Sequence, residues 1–409
     1  MKLLHTADWH LGNTFHGYSR EEEHAHFLGW LLGELVQRQP DVLFVAGDIF
    51  DSPNPSATAE GMFFNFLHDA TQAVAGLQIV IVAGNHDSGG RLEAPEALLK
   101  AHNVYVRGTV RRTETDEPDY DYYILPLSRR DTTEAEIVTF AVPYLRSGDY
   151  PAGMSQEEGL KHFFAQLYKR LKKSDFAGLP VFVCAHYYAD GAQINTAEHS
   201  ERLVVGGQDR VDDASWRKGA SYVALGHIHK AQQSAANAYY AGSALPLSFS
   251  EKSYKHGVRW IETDESGAIT STFVEYTPLR GLISIPDKGA ARPADVLGEL
   301  SDLPERKRDD DGRTWPYLEI RVREEQPEPE LLHDVTAVLQ SRAAHFCRMV
   351  RETDEKNGQQ GVTEAVETLN TLSPQEMAER VFRQRFGENM PDELKGRFEQ
   401  AVEAVMKDA

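Results

Sequence analysis

Apolar positions recur along this chain with two periods. Val42-Leu43-Phe44-Val45-Ala46 and Gln78-Ile79-Val80-Ile81-Val82-Ala83 are apolar at nearly every position and each is closed by glycine. That is the pattern of strands buried on both faces. Between and before them the period becomes helical. Glu21–Arg38 carries Phe27, Leu28, Leu31, Leu32 and Leu35 on one face, and Ala57–Val74 carries Met62, Phe63, Phe66 and Leu67. A strand at Lys2–Thr6, a helix at Leu92–Ala101 and a short strand at Val104–Val106 complete a βαβαβ start. This predicts parallel strands with right-handed crossovers.

The rhythm then changes. Tyr122–Leu127 and Glu136–Val142 predict neighbouring strands of a second sheet, Gln156–Leu171 a helix, and Pro180–Ala185 and Tyr222–Leu225 two more buried strands. Ala238–Ala241, Gly257–Glu262 and Ile269–Tyr276 follow without helices between them, which predicts an antiparallel meander. The expected fold class is α/β, a two-sheet β-sandwich flanked by helices over residues 1–280. Near Thr277-Pro278 the composition shifts. Residues 281–351 predict a small α+β domain, 352–372 a polar linker, and 373–409 a helical segment. Ser373 is its candidate N-cap, with Glu376 placed as in a capping box.

Composition narrows the function only a little. The chain has 409 residues, 41% hydrophobic and 26% charged, enough for two or three domains. No apolar run approaches the roughly eighteen residues a spanning helix needs. The start, KLLHTADWH, lacks the parts of a signal peptide, and Cys184 and Cys347 cannot build a disulfide framework. A cytoplasmic protein is expected. The net charge of −20 argues against coating nucleic acid by charge alone, and it is spread, −11 over residues 1–280 and −9 over 281–409.

The chemistry lies at the strand ends. KLLHTA is followed by Asp8 and His10, VLFVAG by Asp48, and IVIVAG by Asn85 and His86. VFVCA leads to His186, and YVALG to His227 and His229. Sites in open α/β sheets gather outside the carboxyl ends of strands. Seven donors (Asp8, His10, Asp48, Asn85, His186, His227 and His229) are too many for one ion. They suit two ions sharing a carboxylate, and Asp48 is the expected bridge. Imidazole and carboxylate without thiolate favour manganese, with magnesium or iron as alternatives. His86 stands apart as an acid or transition-state stabiliser, and Asp87 is expected to orient its ring.

Asp-x-His, Gly-Asp-x-x-Asp, Gly-Asn-His-Asp and Gly-His-x-His, with one lone His between the last two, resemble the signature of the calcineurin-like metallophosphoesterases. Within them, LLHTADWHLGNTF, VAGDIFDSPNPS, VAGNHDS, YVALGHIHKAQ and YYAGSALPLSF resemble the bacterial relatives of double-strand-break repair nucleases. The resemblance implies one ion held by Asp8, His10, Asp48 and His229, another by Asp48, Asn85, His186 and His227, and a catalytic His86. It implies a capping domain at 281–351, DNA as substrate and a coiled-coil ABC-type ATPase as partner, docked through 373–409. It also implies a homodimer within a heterotetramer, with the Met62, Phe63 and Phe66 helix as a dimer contact, although an ordinary core face explains that helix as well. Arg129, Arg130, Lys252 and Lys255 are candidate DNA contacts. Two departures stand out: Ala244 occupies a position where the family usually has proline, and Tyr187-Tyr188 follow His186. A small-molecule phosphodiesterase or a phosphoprotein phosphatase would share the metals. The phosphatases, however, carry Arg-Gly where this chain has Ser52-Pro53. A catalytically silent scaffold would have lost ligands, and none is missing.

Overall fold

A computed structural model describes residues 1–193, 210–264, 266–324, 328, 330–353, 391 and 395. In chain order the first elements are β1 (Lys2–Thr6), β2 (Thr14–Phe15), β3 (Tyr18–Ser19), α1 (Glu21–Arg38), β4 (Val42–Ala46), α2 (Ala57–Ala73) and β5 (Gln78–Val82). Next come α3 (Gly89–Glu93), α4 (Glu96–Lys100), β6 (Val104–Arg107), β7 (Ile124–Ser128), β8 (Ala135–Val142), α5 (Gln156–Leu171), β9 (Val181–His186), α6 (Ala214–Arg217) and β10 (Tyr222–Gly226). The chain continues with β11 (Gln232–Ala235), β12 (Ala238–Tyr240), β13 (His256–Thr263), β14 (Ile269–Tyr276) and β15 (Leu282–Ile285). It ends with α7 (Pro293–Ser301), β16 (Tyr317–Glu324), α8 (Leu331–Leu339) and β17 (His345–Thr353).

Two six-stranded sheets carry the fold, in the orders β14-β13-β1-β4-β5-β6 and β11-β12-β10-β9-β8-β7. β1, β4, β5 and β6 run parallel in the first, and β8, β9, β10 and β12 run parallel in the second. The alternation of each strand explains why both of its faces are apolar. Val42, Phe44 and Ala46 of β4 face Phe182, Cys184 and Ala224 across the sandwich, while Leu43 and Val45 join Phe27, Leu31, Phe63 and Phe66 of α1 and α2. On the far side Val183 and Val223 pack with Phe163, Phe164 and Leu167 of α5.

The pattern fails in two places. The helix expected at Leu92–Ala101 is two short ones, α3 and α4, because Pro95 between them has no N–H to continue the ladder. The expected meander is not formed. β12 pairs parallel with β10 in the second sheet, and only β13 and β14 make an antiparallel pair, in the first. The absence of a helix between strands does not make them neighbours; here residues 241–255 carry the chain from one sheet to the other. Phe63 and Phe66 are 0% and 4% exposed against Trp9 and Phe50 and form the core face of α2, with Met62 half-buried beside them.

Residues 281–321 and 330–350 belong to the same compact unit as the sandwich; 322–329 and 351–409 form a second. β15, β16 and β17 make a three-stranded sheet, with α7 and α8 packed together. In the second unit Arg351 pairs with Glu324 at 3.3 Å. The expected linker and docking helix, including Ser373 and Glu376, lie outside the described residues.

Candidate metal centre

The strands that run parallel in each sheet bring their carboxyl ends to one rim. There the backbone stays tied after the strands end: Asp8 N–H donates to the Gly47 carbonyl, and His10 N–H to that of Asp48, both at 3.0 Å. The residues between turn sharply. Asp8, His10, Asp48 and His227 have φ of 52°, 47°, 49° and 99°, a left-handed region that non-glycine residues rarely enter. Four such residues at one rim mark a place where local strain is held by the surrounding structure. Gly47, at φ 89°, sits against the His186 ring, and any Cβ there would drive into it.

All seven expected donors meet in this pocket. Ligand atoms of Asp8, His10 and His229 lie within 4.8 Å of one another, as do those of His10, Asp48 and His86, and those of Asp8, Asp48 and His186. Asp48 Oδ2 lies 3.4 Å from His186 Nε2 and 3.7 Å from His10 Nε2, so this carboxylate stands between the groups. Asn85 Oδ1 lies 3.0 Å from His186 Nε2 and 3.1 Å from His227 Nδ1. Asp8 accepts the His227 amide at 2.9 Å.

Electrostatics mark the same place. Burial favours neutral Asp48, but His186 and His10 beside it outweigh that and hold its carboxyl below the usual range. Burial pulls the His186 imidazole down, yet Asp48 lifts it to about 9. Burial raises Asp8 and lowers His227. Two carboxylates and four buried imidazoles form a donor set suited to cations. His10, 2% exposed, has a carboxylate oxygen beside each ring nitrogen, Asp51 Oδ1 at 3.3 Å from Nδ1 and Asp48 Oδ2 at 3.7 Å from Nε2, and neither contact has the geometry of a hydrogen bond. Buried polar atoms are rarely left so without a reason, and a divalent ion supplies one.

His86 is the solvent-facing member. Its N–H donates to Asp48 Oδ1 at 2.9 Å, and its Nδ1 lies 3.0 Å from the Asp51 carbonyl oxygen. The expectation that Asp87 orients this ring is therefore corrected. Asp87 is buried and accepts the amides of Ile49, Phe50 and Gly84 at 3.2, 2.9 and 2.8 Å, pinning the β4 and β5 loops together. Burial and the nearby Asp48 charge raise its carboxyl to about 6. The Asp51 carbonyl does what Asp87 was expected to do.

The four candidate DNA contacts all have intramolecular partners. Arg129 pairs with Glu136, Lys252 with Asp287 and Lys255 with Glu275, at 2.8, 2.9 and 2.7 Å. Arg130 N–H donates to Asp41, the residue that opens β4 at the end opposite Asp48. At about 3.3 Å per residue, the strand puts Asp41 and its partner Arg130 some ~16 Å or more from the rim. Sequence reasoning gave no reason to choose among surface cations, and it missed others. Arg146 donates to the carbonyls of Asn85 and Asp87 at 3.3 Å, and Glu251 lies 2.9 Å from His229 Nδ1. Neither has a local sequence signal. The departure at Ala244 has a structural counterpart: its N–H donates to the Asp8 carbonyl at 3.1 Å, which proline could not do.

A sandwich with this rim is a phosphoesterase fold, and the chain belongs to the calcineurin-like phosphoesterase family, which it matches over residues 1–231. These are phosphoester hydrolases, and membership implies divalent metal ions. Residues 278–386 match a second family, the type 5 capsule protein repressor C-terminal domain. More particularly, the chain is similar to proteins named as the SbcD subunit of the nuclease SbcCD. That of Rhodobacter capsulatus is 34% identical over 353 residues, covering 83% of this chain and 85% of the relative. That of Escherichia coli K12 is 30% identical over 400 residues, 93% and 92% of the two chains. The Bacillus subtilis protein is 30% identical over 332 residues, 79% of each. Among solved structures, TT1561 of Thermus thermophilus aligns over 66% of this chain and 98% of its own, at 12% identity and a TM-score of 0.37. Among the described residues no helix is long and apolar enough to cross a membrane.

Proposed function

We propose that this chain is the nuclease subunit of a DNA end-processing complex, a double-strand exonuclease and single-strand or hairpin endonuclease working by a two-metal mechanism. The observation that carries the reading is the convergence of seven nitrogen and oxygen donors on one buried rim. One ion, manganese by preference, would be held by Asp8, His10, Asp48 and His229, and the other by Asp48, Asn85, His186 and His227. When bound, such a pair supplies an activated water and positive charge for the phosphoryl oxygens.

The chain's own residues do the rest. Asp48 Oδ1 is held by the His86 amide, which leaves Oδ2 facing both groups of donors. His86 Nδ1 donates to the Asp51 carbonyl, so the ring is fixed, and as an imidazolium, protonated at both nitrogens, it would give its Nε2 proton to the departing oxygen. Arg146 braces the Asn85–Asp87 loop that carries it. The relatives are named as subunits of a nuclease. We accordingly assign ATP hydrolysis to an SbcC-like coiled-coil ATPase, with two copies of each chain, in the cytoplasm near the nucleoid. The acidic net charge fits a subunit whose partner provides much of the DNA surface.

The test is linear duplex DNA with manganese, beside a His86→Ala variant. Cleavage by the wild type and a loss of about 10²–10⁴-fold in the variant are expected. No cleavage with or without the ATPase, or full activity in the variant, refutes the reading. Faster turnover of cyclic nucleotides or phosphopeptides would assign the site to another branch of the superfamily.

A further inference from the structure

Residues 242–251 form a loop fastened to two of the strand ends. Ser243 N–H donates to the His229 carbonyl at 3.0 Å and Ala244 N–H to that of Asp8 at 3.1 Å. The loop closes in a short 3-10 turn, Phe249–Glu251, and Glu251 points inward, 2% exposed. A carboxylate buried this deeply must be compensated. Its Oε1 lies 2.9 Å from His229 Nδ1, and its Oε2 accepts the Leu247 amide at 2.7 Å.

His10 shares this arrangement at longer range, its Nδ1 lying 3.3 Å from Asp51 Oδ1, and the other rings differ. The Nδ1 atoms of His186 and His86 face backbone carbonyls, those of Ala46 and Asp51. A carbonyl fixes the tautomer. A carboxylate fixes it and also makes the opposite nitrogen a stronger donor to a cation. We propose that Glu251 is a positioning residue for the metal centre, holding His229 with Nδ1 protonated and Nε2 offered to the ion. The inference rests on the two-metal reading above.

The turn that presents Glu251 is seated from two sides. Arg20, fully buried and paired with Glu23 at 2.8 Å, donates to the Pro246 carbonyl at 2.6 Å. Phe249 packs 5.3 Å from the Phe15 ring, in a cluster that includes Tyr317 of β16, and the Arg348 guanidinium lies 5.4 Å over it. Tyr317 also donates to Glu23 at 2.7 Å, so one buried network reaches from the small sheet to the residue behind His229. Glu251 is thereby held in place before any ion arrives, as positioning requires.

The experiment is a manganese titration of the full chain followed by electron paramagnetic resonance, on wild type, His229→Ala and Glu251→Gln, each checked for folding by circular dichroism. Wild type should bind two ions, and Glu251→Gln should weaken one of them about 10- to 100-fold while leaving the other unchanged. A wild type that does not bind two ions overturns the metal reading itself. Two ions in the wild type, one weakened in His229→Ala and none weakened in a folded Glu251→Gln overturn the role of Glu251 alone. Should Glu251→Gln not fold, nitrogen-15 NMR of His229 in the metal-free wild type decides. Protonation at Nδ1 supports the proposal, and protonation at Nε2 refutes it.

Discussion

The two ends of the same parallel strands are built on opposite terms. At the carboxyl ends, Asp48 faces two imidazoles with its Oδ2, and four non-glycine residues are left-handed. At the amino ends, Asp41 is also a carboxylate, yet each of its oxygens accepts a backbone amide, from Lys2 at 2.7 Å and Arg130 at 3.1 Å. Both rims are polar, and both hold carboxylates beside cationic groups. What separates them is that at one rim the carboxylate is tied by backbone amides on both oxygens, and at the other imidazoles and carboxylates converge on a common space. Charge alone marks neither as a site; unmet coordination does.

The largest contrast should come from the two aspartates. Asp48→Ala is expected to lower DNA cleavage at least ~10³-fold, as removal of a group central to two-metal chemistry would. Asp41→Ala should cost about 1–3 kcal/mol of stability through its orphaned amides and leave cleavage within about twofold. Nuclease assays and thermal melts on both variants check the pair, and equal losses of activity would erase the distinction.

The glycines give a second, smaller contrast. Gly47 and Gly76 are both left-handed, at φ 89° and 78°. A Cβ on Gly47 would strike the His186 ring, and one on Gly76 would come 2.7 Å from the Arg130 carbonyl. Each alanine variant should lose about 1–3 kcal/mol in a denaturant titration. Only Gly47→Ala should also lose metal affinity and cleavage.

Much of this was legible in the sequence, for a physical reason. A buried strand must be apolar along its whole length, so the polar residue that ends it stands out, and Asp8, Asp48, Asn85, His186 and His227 were all visible that way. Pairing was less legible. β12 and β13 carry the same kind of apolar pattern, but hydrogen-bond partners are chosen by the whole fold, and they lie in different sheets. What supports the site was least legible. Asp87 looked like the partner of His86 by adjacency, whereas three backbone amides claim it. Glu251 lies 22 residues from His229 along the chain and is brought back by a loop whose sequence does not show which histidine it reaches.

A last expectation concerns acid stability rather than cleavage. Burial, with Arg259 nearby, lowers His5 to about 3, and burial, with Arg20 nearby, lowers His24 to about 3. The folded chain keeps both neutral while the unfolded chain protonates them below about 6.5. Stability is therefore full above that pH and falls as pH drops toward 3, by about 1.4 kcal/mol per unit for each group. His24 makes no hydrogen bond through either ring nitrogen among the described residues. His24→Leu should thus flatten the slope by one group's share, read from urea unfolding at pH 6.5 and below. An unchanged slope would contradict the assignment.

The account turns on Asp48 as the bridge between two ions. Manganese binding to wild type, Asp48→Ala, Asp8→Ala and Asp41→Ala tests it most directly, with the ion count and the spin coupling of a paired site read together by electron paramagnetic resonance. The expected result is two coupled ions in wild type and Asp41→Ala, disturbance mainly of one in Asp8→Ala, and loss of both sites' tight binding in Asp48→Ala. Two tightly bound, coupled ions in Asp48→Ala would contradict it.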